Sequence, residues 1–580
     1  MKRERMKRST LYFILLIVLL GFIVYVNSFF NGFVWDDELQ IVKNPLIRSL
    51  DNVLTFFKGG TAYVEGQGTL GGLYYRPLST LFFALLYVIF GLNSAAFHIF
   101  QVLIHIASSV LLFFVFKKFL GDKISILLST VFLVHPMNVE SVAYLSSLQT
   151  TLSFFFGIFA LYLSLRSSNV SYKRLAIICF LLLLSLLSKE SGILFLFFVI
   201  CFFFIYNRRA LLRVLYGTIS VLIFYSLLRF GYAKKFTVSY PIFPISRLDL
   251  PHRLLHAPQA FLYYLSTFFF PRDLAVSQYW IFKSIDFLNF FLPLMISLSF
   301  LIFVVVAGFI MFKKKSKLFS VYVFFTLWFL ISMLLNLHII PLDMTVADRW
   351  FYVSMAGLLG FSGAIMSFFT KTKKKLNTIV LVVFILFLAG LSIRTVVRNA
   401  DWNSNRTLFF HDITVSKDSF DIENNVGAIY ASEGKWDKAL AHFKNSARLA
   451  PYRAEVWNNL GAIYQIKGDV QQAKRDYEQA ISIGQENTAY GNLAQILYYH
   501  ENSETAYYFI LRALKKHPLN AKLWFYLSLI EYDKGNYQKA LEAASLSYSL
   551  EPNILNREIY THLQKNEPIN TRKYDVIYVD

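Results

Sequence analysis

Apolar runs long enough to cross a bilayer recur through the first 398 residues, separated by short charged clusters, and then stop. A membrane span needs about 20 apolar residues, with ~17–25 tolerated. Such runs fall at about 11–30, 96–116, 124–140, 148–165, 175–190, 190–206, 211–230, 288–312, 318–340, 350–369 and 377–395, which predicts about 11 spans. Two further runs, 78–91 and 257–270, are too short to cross and carry loop signals on their flanks. They read as re-entrant or surface-lying helices on the outer side.

After residue 420 the pattern becomes that of a soluble protein with an internal repeat. Trp457, Leu460, Gly461, Tyr464, Gly468, Ala473, Tyr477 and Ala480 follow the 34-residue tetratricopeptide pattern. Gly427, Tyr430, Gly434, Ala439, Phe443 and Pro451 stand one period earlier. Later copies carry Leu493, Ala494, Ala506, Ala513 and Pro518, then Trp524, Leu527, Gly535, Ala540 and Pro552. Small residues at these positions let helix pairs stack into a curved solenoid, a binding module whose concave face usually holds peptide. The expected fold is therefore all-α. A polytopic membrane domain at 1–398 is followed by a linker at 399–419, about four repeats at 420–555 and a tail at 556–580.

The net charge of +21 does not imply nucleic acid, because the basic residues sit in clusters between apolar runs. These are Lys2–Arg8, Lys117/Lys118/Lys123, Arg166/Lys173/Arg174, Arg208/Arg209/Arg213, Lys313–Lys317 and Lys371–Lys375. With a cytoplasmic N-terminus all six fall inside, the positive-inside pattern, and eleven spans put the repeats outside. Cys179 and Cys201 lie in apolar runs, which excludes a disulfide framework. Tyr25–Phe30 offers no small-x-small site, so a cleavable signal peptide is not expected.

On this threading, the polar residues that carry chemistry share the outer face. Trp35-Asp36-Asp37-Glu38 opens directly from the first span, and membrane-edge acids are functional candidates by default. A carboxylate there can deprotonate an acceptor hydroxyl or hold a divalent cation beside a phosphate. Asp36 and Asp37 are the candidates for either role, with Glu38 a third. Groups suited to a phosphate are Arg76, His98, His105, His135, Lys189, His338, Arg349 and Arg394. Lys189-Glu190 and Asp348-Arg349 also read as plain ion pairs, and taken singly each group fits a structural role.

Six motifs occur in order: Asn31-Gly32-Phe33-Val34-Trp35-Asp36-Asp37, Tyr75-Arg76-Pro77-Leu78, Phe97-His98 with His105, His135-Pro136 with Glu140-Ser141-Val142-Ala143, Leu187-Ser188-Lys189-Glu190-Ser191-Gly192, and Ala347-Asp348-Arg349-Trp350-Phe351-Tyr352. As an ordered set they resemble the transmembrane, tetratricopeptide-containing O-mannosyltransferases and their bacterial relatives, within the GT-C superfamily. The resemblance covers essentially the whole chain, Trp402 included. It implies a polyprenyl-phosphate sugar donor, inversion at the anomeric carbon, and an acid in the first outer loop (here Asp36 or Asp37) as base or metal ligand. It also implies Arg349 and Lys189 as donor-phosphate groups, to which Arg76 is added. Glu38, His98, His135, Glu190 and Asp348 are supporting candidates. The segment from Pro241 to Tyr279, with Pro271, looks like the family's outer loop.

Two departures stand out. Asp348 replaces a commoner glutamate, and Ser147-Leu148-Gln149-Thr150 lacks the arginine and acid often found after the His-Pro turn. The first conserves charge; the second argues against a catalytic role for this turn and tilts the reading toward a bacterial relative, for which a sugar other than mannose fits. The expectation is a multi-pass membrane glycosyltransferase acting on an outer-face hydroxyl, Ser/Thr of a protein first. It would sit in the inner membrane, or in the endoplasmic reticulum membrane if eukaryotic. A divalent cation is the one cofactor left open, and the repeats would recruit an acceptor protein or assembly partner. The rivals are transfer to a lipid or cell-wall glycan by the same domain, and a non-enzymatic membrane-anchored scaffold.

Overall fold

The computed structural model describes residues 2–580 apart from 65–68, 73, 167–169, 235–242, 283, 371–377, 485–486 and 576–580. The basic cluster at Lys371–Lys375 and the start of the expected outer loop at 241–242 lie outside the described residues. The chain divides into two compact units, one built from Met1–Tyr63 and Thr69–Val415, the other mainly from Ser416–Asp580.

The first unit opens with α1 (Lys2–Tyr25) and α2 (Val53–Phe56), then a two-stranded sheet of β1 (Ala62–Val64) and β2 (Thr69–Gly71). There follow α3 (Pro77–Phe90), α4 (Ser94–Leu120), α5 (Asp122–Val134), α6 (Val139–Val142), α7 (Leu148–Leu165) and α8 (Tyr172–Ser188). The unit continues with α9 (Ile193–Tyr206), α10 (Arg208–Ser226), α11 (Leu250–Phe269), α12 (Leu292–Lys313), α13 (Phe319–Leu334), α14 (Phe351–Thr370), α15 (Thr378–Asp401) and α16 (Asn405–Val415).

Every predicted span contains a helix. Among the described residues, seven helices are long and apolar enough to cross a membrane. An eighth span is a pair, Asp122–Val134 with Pro136–Val142, bent by 51°. The remaining three predicted spans, α8, α9 and α13, have only 17, 14 and 16 residues. The bend follows from His135-Pro136: proline disfavours helical backbone in the residue before it, and His135 is extended (φ −72°, ψ 127°). On α12, Leu298, Ile302, Val305 and Phe309 are exposed, which suits a helix solvated by lipid tails. The protein is a multi-pass membrane protein.

Of the two short runs, α3 has 14 residues as expected. The second is longer than the apolar pattern indicated: α11 extends over 20 residues through Pro258. Its start is set by Asp249, whose carboxylate accepts from the His252 amide at 3.1 Å. Residues 399–419, expected as a linker, contain α16. Asp412 of that helix is fully buried within the first unit, and both its carboxylate oxygens accept from the Arg398 guanidinium, at 2.7 and 3.1 Å.

In the second unit, α17 (Phe420–Ser432) pairs with α18 (Trp436–Leu449) and α19 (Ala454–Ile466) with α20 (Val470–Ile483). Then α21 (Asn487–Ile496) pairs with α22 (Ser503–Lys516), and α23 (Ala521–Asp533) with α24 (Tyr537–Leu550). Four pairs match the four predicted repeats. A Cβ on Gly461 would lie 2.6 Å from the Tyr477 ring, so only glycine lets α19 and α20 close on that ring. The expected tail is structured from its start: α25 (Ile554–Gln564) buries Ile559 and Leu563.

Candidate functional site

The loop after the first span carries Trp35 in left-handed backbone, φ +54°. Such a conformation costs roughly 1–3 kcal/mol in a residue with a side chain, so its surroundings must hold it. They do so from residues far along the chain. The Trp35 amide donates to Asn405 Oδ1 at 2.8 Å and the Gly32 amide to the Asn403 carbonyl at 3.0 Å. Asn31 Nδ2 donates to the Asn399 carbonyl at 3.0 Å. The Trp35 ring stacks on Tyr144 (centroids 5.6 Å, 19°), and Tyr144 stacks on Trp402 (5.2 Å, 26°).

This arrangement separates the two aspartates. Asp37 is fully buried and its carboxylate accepts three hydrogen bonds: from the Val34 amide (3.0 Å), the Ser146 amide (2.8 Å) and the Ser146 hydroxyl (2.6 Å). Burial pushes its pKa up to about 7, against the pull of those donors. Asp36 instead is exposed, in a recess lined by protein. Tyr144 Oη donates to its Oδ2 at 2.6 Å. Crowding by surrounding protein raises its pKa, while the Tyr144 hydrogen bond and the charge of Arg349 draw it down. Asp37 is thus a clamp for the turn around Ser146, and Asp36 is the acid that faces open space. Glu38 lies in the helical turn Glu38–Val42.

Arg349 is paired with Glu140, not with its neighbour Asp348. Its guanidinium donates to Glu140 Oε1, and its backbone amide donates to Oε2 at 2.8 Å. Asp348 is buried and accepts from Tyr263 Oη at 2.6 Å. Likewise Glu190 does not pair with Lys189. Its carboxylate takes Arg76 Nε at 3.0 Å and the Tyr75 amide at 3.3 Å, with Arg229 Nη1 at 4.0 Å. Arg76 also stacks its guanidinium 3.9 Å above the Tyr74 ring, and Tyr74 Oη donates to Asp343 at 3.0 Å. Lys189 Nζ donates to a neutral group, the Thr150 hydroxyl, at 2.9 Å. The charges of Arg76, Arg349, Glu190 and Asp343 all reach it.

Asp36, Arg349, Lys189 and Arg76 therefore form one electrostatic neighbourhood. The histidines stand apart from it in role. His105 bridges Tyr352 Oη (2.6 Å) and the Leu133 carbonyl (2.9 Å), and His338 bonds the Thr345 carbonyl at 2.7 Å. His135 bonds the Phe268 carbonyl at 2.9 Å and stacks on that ring. His98 is buried, with Nε2 3.4 Å from the Gly32 carbonyl. Arg394 donates to the Pro271 and Arg272 carbonyls at 3.1 and 3.0 Å. These five groups brace backbone. Among the described residues no three His, Cys, Asp or Glu side chains converge as metal ligands. Asp37 is saturated by donors, so of the two adjacent aspartates Asp36 is the one with a carboxylate oxygen free to meet a cation.

Sequence reasoning missed Tyr144, Ser146, Thr150, Tyr263 and Asp343. Tyr144 and Ser146 follow the quoted Glu140–Ala143 motif directly, and that adjacency was the available signal.

Two stretches match the tetratricopeptide repeat family, 418–486 and 492–553. A human relative, "Protein O-mannosyl-transferase TMTC3", is 25% identical over 89% of this chain and 66% of its own length. The Caenorhabditis elegans "Protein O-mannosyl-transferase F38B6.6" is 21% identical over 77% of this chain and 64% of its own. The chain thus spans just under two thirds of the length of these two relatives. Among solved structures, that of the tetratricopeptide protein YrrB is 19% identical, covering 28% of this chain and 87% of that one, with a TM-score of 0.23. The chain thus carries tetratricopeptide repeats at 418–553 and, along most of its length, is similar to proteins named protein O-mannosyl-transferases.

Proposed function

We propose that this protein is a membrane glycosyltransferase that moves a sugar from a polyprenyl-phosphate carrier to a Ser/Thr hydroxyl of an acceptor protein, on the outer face. The observation that carries the reading is Asp36: an exposed carboxylate, oriented by Tyr144, within the field of Arg349, whose charge also reaches Lys189. Asp36 takes the acceptor hydroxyl proton as the acceptor oxygen bonds to the anomeric carbon. The bond from that carbon to the phosphate oxygen breaks on the opposite side, so configuration inverts and polyprenyl phosphate leaves.

Negative charge builds on the phosphate as that bond breaks, and a site already holding cations stabilises it without rearranging. Lys189 suits this task best, since its present partner is a neutral hydroxyl. Arg349 turns one guanidinium nitrogen toward the weak acceptor Met344 Sδ, 3.7 Å away. Glu140 and Glu190 hold the two arginines in place. The names of the relatives support protein as acceptor, and the repeats support recruitment of a polypeptide.

Mass spectrometry of surface proteins and glycolipids, from cells with this chain, without it, and with Asp36→Asn, tests the reading. Hexose-bearing Ser/Thr peptides should be present in the first and missing from the other two. Unchanged peptides with altered glycolipids would move the acceptor from protein to lipid.

A further inference from the structure

Beyond α25 the chain turns back across its own repeats. Lys565–Pro568 are exposed, and the following residues run over α21, α23 and α25, which are successive first helices of the stack. Two of the contacts are to main chain. The Ile569 amide donates to Tyr532 Oη at 2.9 Å, and Tyr499 Oη donates to the Thr571 carbonyl at 2.8 Å. Others read side chains. The Thr571 hydroxyl donates to Asp533 at 3.1 Å. Tyr574 is buried, its ring 6.0 Å from that of Phe525 and its hydroxyl donating to Glu558 at 3.0 Å. The Asp575 carboxylate accepts from Gln495 Nε2 at 3.1 Å and lies 3.6 Å from His500 Nε2.

Main-chain hydrogen bonds for affinity and side-chain pockets for selection are how a groove reads an extended peptide. The hold is also shallow. Of Lys565–Asp575 only Tyr574 is buried, while Ile569 and Thr571 are half-buried. A segment with so few buried contacts opens at much lower cost than the helices beneath it.

We infer that residues Ile569–Asp575 are a displaceable internal ligand in a polypeptide-binding groove on α21, α23 and α25, whose partner in trans is an extended segment with an aromatic residue followed by an acid. The tyrosine ring fills the slot beside Phe525, and the acid meets Gln495 and His500. The proposal rests on the reading of the repeats as a polypeptide-recruiting module and gives that module a gate.

The test uses the full chain in detergent and a fluorescein-labelled peptide of residues Asn566–Asp575, followed by anisotropy. The chain lacking 566–580, and a full-length Tyr574→Ala/Asp575→Ala variant, should each bind the peptide at least tenfold more tightly than the unaltered chain. The same peptide with Tyr574→Ala should not bind. Equal, weak binding by all three chains would overturn the proposal. Hydrogen exchange on the unaltered chain gives a readout independent of how the variants fold: the Ile569 and Thr571 amides should exchange far faster than those of α23. Exchange as slow as α23 would make the segment a permanent cap and would also overturn it. The assay contains no acceptor or sugar donor, so its failure leaves the recruitment reading standing. That reading fails separately if Tyr532→Ala/Gln495→Ala leaves transfer to acceptor proteins unchanged.

Discussion

Adjacent aspartates with opposite surroundings define the site at the scale of single residues. Asp36→Asn removes the proposed base, and transfer should fall by about 10²–10⁴-fold while thermal unfolding stays unchanged, since general bases contribute on that order. Asp37→Asn puts an amide where one carboxylate oxygen accepts a hydrogen bond. It should cost about 1–3 kcal/mol of stability, read as a lower melting temperature in detergent. Asp37 also titrates near neutrality. Its folded pKa of about 7 lies above the ordinary aspartate value, so the folded state holds a proton that the unfolded state has released between about pH 4 and 7. Its contribution is full below that window and is lost as pH rises through 7. The unaltered protein should therefore melt lower at pH 8 than at pH 5, with a smaller difference in Asp37→Asn. The sequence left the pair unresolved for a physical reason. What distinguishes them is Ser146 and Tyr144, about a hundred residues downstream, and neither announces itself in isolation.

Among the elements, the local patterns were the readable part. Apolar runs marked the helices of the membrane unit, and the 34-residue period marked the four helix pairs. The lengths of α8, α9 and α13, the reach of α11 and the buried α16 were not readable, because each depends on packing against distant chain. Asp412 illustrates this: polar sequence around it suggested a linker, yet Arg398 pairs with it inside the fold. The repeat glycines permit a sharper test. Gly461→Ala should destabilise by about 1–3 kcal/mol through contact with the Tyr477 ring. Gly468 has φ +82° and open space around it, so Gly468→Ala should cost about 1–2 kcal/mol through backbone alone. Combined with Tyr477→Leu, the first cost should shrink and the second should simply add, as measured by denaturant unfolding.

The orientation of the whole molecule is a proposal that the mechanism requires. Basic clusters on one side place Asp36 and the repeats together on the other. A reporter active only outside the cytoplasm should therefore be active when fused after Asp580 and silent when inserted at Lys315 or Lys373. A silent Asp580 fusion would put the repeats in the cytoplasm, on the far side of the membrane from the acid they are proposed to serve. One further consequence comes from the stacked rings of Trp35, Tyr144 and Trp402. The three lie far apart along the chain, and together they fix where Asp36 points. Synthesis runs from the N-terminus, so a nascent chain has made its acid hundreds of residues before it makes the last ring that steadies it. The site is therefore completed only after the final span has been threaded. A chain that ends before Trp402 carries Asp36, Tyr144, Lys189 and Arg349 without the ring that backs Tyr144, so the proposed site is the last part of this unit to be assembled.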